Sequence, residues 1–163
     1  MAVAAITETA EYLTFRLDEE EYAVDVTGVQ EILEVPDITR VPKMPDYMCG
    51  IINVRGSVVP VVDLRLRFGM AKTEKTIDTC IIVLEIDLND KKSIIGTLAD
   101  SVDEVIELKE AQTEAVPEIG TRIKVDFIKA VGKRNDQFIM ILDVDKIFSS
   151  EELTTLKEKS LKV

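Results

Sequence analysis

The chain has 163 residues, a net charge of −11, and neither histidine nor tryptophan. That length holds one domain, or two small subdomains on a common core, and 46% hydrophobic with 31% charged residues is a globular balance. Without imidazole there is no Ser-His-Asp or Cys-His triad, no His-ligated catalytic zinc and no phosphohistidine, and the acidic balance argues against a nucleic-acid-binding face.

Residues 1–12 carry no Lys or Arg and no long apolar run, so they do not read as a signal peptide. No stretch approaches the roughly 20 apolar residues of a membrane span. The expectation is a soluble, cytoplasmic protein. Cys49 and Cys80 stand 31 residues apart and form no Cys-x-x-Cys pair, so they read as small buried hydrophobes in a reducing compartment.

Along the chain, residues 1–10 read as a loose or helical arm. Leu13, Phe15 and Leu17 alternate with polar residues, as do Tyr22, Val24 and Val26, which predicts two half-buried strands around the acidic turn Asp18–Glu21. Val29–Val35 fits a helical turn or a bulged strand equally. Pro36, Pro42 and Pro45 mark a loop. Gly50–Leu64 is the most apolar stretch, split by the turn Asn53-Val54-Arg55-Gly56-Ser57. Pro60 predicts that its strand is an edge or carries a bend. Residues 70–78 form a polar linker.

The second half opens with Thr79–Ile86, a β-branched run, then the turn Asn89–Lys92 and the return strand Ser93–Leu98. Val102–Leu108, Phe127–Val131 and Gln137–Val144 are further apolar runs, the last two joined by the turn Asn135-Asp136. At the C-terminus, Ser149 and Glu152 form a capping box for a helix over about 150–160. Short strands at close spacing predict a mainly β protein built of small barrels.

An internal repeat is visible. Val29–Val35 matches Val102–Leu108 at an offset of 73, and Asp46–Phe68 matches Asp126–Phe148 without gaps at an offset of 80. Only Asp46, Asp63 and Phe68 are identical across the second match, but the apolar pattern coincides. The reading is two copies of one small barrel, about 10–70 and 78–148, with a groove between them as a natural binding place.

Catalytic signals are weak. Asp143 and Asp145, with Asp63 as repeat partner, are the carboxylates that a metal-dependent enzyme would use, but no calcium loop and no phosphate-cradling Gly motif is present. Charge distribution says more: residues 40–75 carry seven basic and three acidic side chains, a local +4 against −15 for the rest. That asymmetry suits a partner of complementary charge. Arg55, at a hairpin tip beside Gly56, is placed to fork onto a carboxylate.

Gly50-Ile51-Ile52-Asn53-Val54-Arg55-Gly56, followed by Val58-Val59-Pro60-Val61-Val62-Asp63-Leu64-Arg65, resembles the chemotaxis coupling proteins, the CheW-like family. Glu21–Val26 with Val29–Ile32, Arg40-Val41-Pro42 and Ile139–Asp143 agree with it. The family's common form has Leu where Val54 stands.

The resemblance implies two intertwined SH3-like five-stranded barrels sharing a core, to which the sequence itself adds the C-terminal helix. It implies no enzymatic activity and no cofactor. The implied role is an adaptor between the cytoplasmic tip of a methyl-accepting chemoreceptor and the regulatory domain of the chemotaxis histidine kinase, a two-component system, with no nucleic acid and no membrane insertion. Val29, Glu31, Asn53, Arg55 and Gly56 match the family's partner-binding positions. For Val29 the other reading is core packing, and for Asn53 a turn side chain bonding its own backbone. Readings left open are the same adaptor in a non-chemotaxis receptor–kinase pathway, a small metal-dependent enzyme using Asp143 and Asp145, and a free-standing ligand-binding barrel.

Overall fold

The computed structural model describes residues 9–88, 90–116 and 127–148. The fold is mainly β, with eleven strands in two curled sheets among the described residues. In chain order they are β1 (Thr9–Leu17), β2 (Glu20–Asp25), β3 (Val29–Glu34), β4 (Met48–Val54), β5 (Ser57–Asp63), β6 (Cys80–Leu88), β7 (Lys91–Ala99), β8 (Ser101–Lys109), β9 (Thr113–Glu114), β10 (Ile128–Arg134) and β11 (Gln137–Leu142). Two single helical turns follow β5 and β11: α1 (Leu64–Arg67) and α2 (Val144–Ile147). The expected C-terminal helix, its capping box and residues 1–8 lie outside the described residues.

One sheet has the order β8-β1-β2-β11-β10-β9 and the other β3-β6-β7-β5-β4. The second order repeats the first position by position: β3 stands for β8, β6 for β1, β7 for β2, β5 for β11 and β4 for β10. Each sheet therefore takes two strands from one sequence half and the rest from the other. Segments 10–70 and 78–148 each contribute to both sheets, so the sheets interlock and do not coincide with contiguous halves. The repeat itself is structural. Shifting β4, the start of β5 and α1 by 80 residues gives the starts and turns of β10, β11 and α2, and the bulge at Met48/Gly50 returns at Ile128/Ala130.

The strands β1, β5, β6 and β7 are buried on both faces over much of their length, which explains their nearly continuous apolar runs, whereas β3 and β8 keep one face open. Alternate residues of β6 divide between two cores: Ile82, Leu84, Ile86 and Leu88 enter a shared core between the sheets, while Ile81 and Val83 fill the interior of their own sheet. On β1, Leu13, Phe15 and Leu17 enter the shared core and Tyr12 the interior of the other sheet. A line of rings crosses the shared core, Phe15–Tyr22–Phe68–Phe127, with centroids about 6 Å apart.

Two local expectations resolve. Val29–Glu34 is a strand with a bulge between Val29 and Glu31, because tertiary pairing with β6 decides a pattern that sequence left open. Pro60 does not sit on an edge strand, since β5 lies between β4 and β7. Its second pairing begins only at Val61, so Pro60 stands where β5 has a partner on one side and its missing N–H costs little. Gly50 has φ +145°, and a Cβ there would lie 2.2 Å from the Thr39 carbonyl oxygen. Only glycine lets the loop cross so closely, and Thr39 and Ile51 exchange two backbone hydrogen bonds of 2.9 and 2.8 Å beside it.

Candidate partner-binding site

The β4–β5 hairpin turns on Arg55 and Gly56, both at positive φ, 52° and 87°. Two successive left-handed residues make the tight turn whose twist matches the flanking strands. Asn53 fixes it: its side-chain oxygen accepts the Gly56 N–H at 2.7 Å. This turn geometry holds Arg55 out, 83% exposed, and its Nη2 lies 3.4 Å from the Glu31 carboxylate.

Glu31 belongs to β3, at the opposite end of the sheet order from β4. The sheet thus curls until its two outer strands meet across this ion pair. Of the five sequence candidates, Asn53, Arg55 and Gly56 form one hairpin tip, and Glu31 joins them from across the sheet. Val29 stays apart: it is half-buried against the shared core.

The second sheet carries the same device. Arg134, at the end of β10, places its Nη1 3.4 Å from the Glu104 carboxylate on β8. Glu104 is the repeat equivalent of Glu31, and Arg134 is one position before the equivalent of Arg55. The turn residues Asn135 and Asp136 are again at positive φ, 51° and 62°.

The strands that carry each ion pair also carry exposed apolar side chains that sequence reading missed. Ile32 on β3 is 44% and Val58 on β5 59% exposed in the first sheet; Val105 on β8 is 48% and Phe138 on β11 67% exposed in the second. Val105 is Ile32 shifted by 73 and Phe138 is Val58 shifted by 80. The repeat arithmetic could have paired them, but nothing in an alternating strand says which residue of the pattern faces solvent.

Acidic groups crowd the second edge. Glu21 lies beside Arg16, at 3.5 Å, and Arg16 also reaches Asp103 at 3.2 Å. Burial pushes the Glu21 carboxyl above its ordinary range, with Asp103 adding to it and Arg16 only partly opposing.

The two candidate metal carboxylates do structural work. Asp143 caps α2, and Asp145 accepts the Asp87 backbone N–H at 3.0 Å. Among the described residues no group of three or more Asp, Glu or Cys side chains is arranged to hold a metal ion, and no described helix is long and apolar enough to cross a membrane. The cleft between the sheets is lined by Asp25, Glu85, Asp87, Asp143 and Asp145, with Lys92 and Lys129. Five carboxylates against two lysines make this cleft acidic.

A family model described as the CheW-like domain matches residues 11–152. The chemotaxis protein CheW of Klebsiella aerogenes is 32% identical over 151 residues, covering 93% of this chain and 89% of that protein. That of Thermotoga maritima is 33% identical over 147 residues, 88% and 89% of the two chains. The crystal structure of the scaffolding protein CheW from Thermoanaerobacter tengcongensis superposes with a TM-score of 0.78 at 34% identity, over 89% of this chain and 91% of that one. Coverage of this extent spans both interlocked sheets, and the chain accordingly belongs to the CheW-like family of non-enzymatic chemotaxis scaffold proteins.

Proposed function

We propose that this protein is a cytoplasmic adaptor that couples the cytoplasmic tip of a chemoreceptor to the regulatory domain of the chemotaxis histidine kinase. The observation that carries the reading is the pair of repeat-related edges, each with an Arg–Glu ion pair and two exposed apolar side chains. Apolar anchors ringed by charge are the composition of a contact surface. Two such edges let one chain touch two neighbours at once, and related edges suit repetition of one kind of contact. Arg55, Glu31 and the hairpin built by Asn53 and Gly56 form the first contact, and Val29 braces the strand that carries Glu31. Signal then passes as a change in how the kinase is held, a coupling free energy and not a reaction.

The test is calorimetric titration of the full chain against the kinase regulatory domain and, separately, a receptor-tip helical hairpin. Saturable binding to both supports the adaptor. Binding to neither at high micromolar protein contradicts it.

A further inference from the structure

Strand β5 ends at Asp63, a buried carboxylate that is fully engaged. It accepts the Arg65 N–H at 3.1 Å, the Thr73 N–H at 3.0 Å and the Thr73 hydroxyl at 2.7 Å. Thr73 thereby pins the 70–79 segment across the end of the sheet, and Lys72 and Lys75 flank this anchor in sequence. Beneath the segment is a cavity of about 340 Å³. Its floor is apolar, with Val35, Ile38, Met48, Leu66 and Leu98, and its rim carries Arg40, Lys72 and Lys75.

In a chain of net charge −11, cations usually find carboxylates. None of these three has an ion pair among the described residues. Asp46 and Asp63 also line the cavity, but the Asp63 oxygens face the donors of Thr73 and Arg65. The Cys49 thiol in the cavity wall reports the field. Burial, with Asp63 adding, pushes its pKa up to about 11, while Lys72 and Arg40 pull the other way. The rim holds three of the seven basic side chains that make residues 40–75 stand out as basic.

We propose that this cavity binds a small amphiphilic anion, its apolar tail on the Ile38–Met48–Leu98 floor and a single carboxylate or phosphate head between Arg40, Lys72 and Lys75. The volume lies at the lower end of the small-ligand range, roughly 300–1,000 Å³, and an apolar floor with few convergent charges is the composition of such pockets. The site is separate from both Arg–Glu edges, and its occupancy does not depend on the adaptor role.

The probes are octanoate and octyl phosphate, with octanol and octyltrimethylammonium for comparison. The readout is the alkylation rate of Cys49 at pH 9 in the full chain, with Cys80, which does not line the cavity, as internal reference. Both anions are expected to protect Cys49 saturably and leave Cys80 unchanged, and the stronger of the two identifies the head group. Lys72→Ala combined with Lys75→Ala, both exposed, is expected to raise the half-protecting concentration about tenfold, two exposed ion pairs being lost; Arg40→Ala is expected to act in the same direction. The proposal is overturned by no protection in the millimolar range, by equal protection from octyltrimethylammonium, by equal slowing of both cysteines, or by folded lysine variants that bind unchanged.

Discussion

The Arg55 guanidinium lies 3.4 Å from the Glu31 carboxylate, and the two residues come from the outermost strand and the far hairpin of one sheet. An ion pair so exposed contributes at most about 1 kcal/mol to stability. In the adaptor role proposed above, its larger part is in contact with a partner. Arg55→Asp is expected to move the melting temperature by no more than about 3 °C, while weakening binding to the kinase regulatory domain by about tenfold or more. Thermal denaturation and calorimetry on the same preparation separate the two.

Phe138 and Val58 are related by the repeat and both are largely exposed. Truncating a solvent-facing side chain leaves stability within about 0.5 kcal/mol. A desolvated aromatic anchor in an interface is worth about 2 kcal/mol or more. Phe138→Ala is therefore expected to fold like the parent chain and to lose one partner contact, the one opposite to that lost by Val58→Ser. Loss of the same contact by both variants would contradict two separate edges.

Gly50 and Gly56 both have positive φ but differ in space. A Cβ on Gly50 would collide with Thr39, whereas one on Gly56 meets nothing within 4 Å. Gly50→Ala is expected to cost about 2–4 kcal/mol, combining strain with loss of the Thr39–Ile51 pairing. Gly56→Ala is expected to cost only about 1–2 kcal/mol, the penalty of a left-handed alanine. Urea denaturation of both variants measures the difference.

Arg67 stands where the two repeats face each other. Its guanidinium carbon lies 4.9 Å from the Tyr47 ring centroid and 4.7 Å from that of Phe127, and its Nε donates to the Ile147 carbonyl at 3.0 Å. Tyr47 and Phe127 are repeat equivalents, as are Arg67 and Ile147, so this cation ties one copy to the other. Arg67→Met keeps the stem but loses the charge and the donor, and is expected to destabilise the chain by about 2–3 kcal/mol.

These residues mark what sequence could and could not tell. The hairpin turns at Arg55-Gly56 and Asn135-Asp136 were legible because turn chemistry is local. The repeat was legible because it conserves the apolar pattern. The exchange of β1–β2 and β6–β7 between sheets was not legible in the strand pattern, since a strand's alternation does not name its neighbour; only the family resemblance implied intertwined barrels. The meeting of Glu31 with Arg55 depends on sheet curvature, and the anchoring of Thr73 on Asp63 depends on a loop path; neither leaves a periodic trace.

Glu21 gives a pH prediction. Its carboxyl is raised in the folded state by burial and by Asp103, with Glu104 adding and Arg16 opposing. In the window just above the ordinary carboxylate pKa of about 4.5, the native chain holds more proton than the unfolded one. Stability from this group is present below that window and lost as pH rises through the folded value. Glu21→Gln is thus expected to melt higher than the parent chain at pH 7 and to lose that advantage at pH 4. A parent chain that melts higher at pH 7 would show that the Arg16 pair outweighs burial.

Two repeat-related contact edges on one chain would let it bridge two copies of a partner. The most direct test is the molar mass, by light scattering, of mixtures of this protein with the kinase regulatory domain. Assemblies larger than one-to-one are expected, reduced to one-to-one by either Arg55→Asp or Phe138→Ala and abolished by the two together. A mass that stays at one-to-one with the parent chain, or a single substitution that removes all binding, would contradict that expectation.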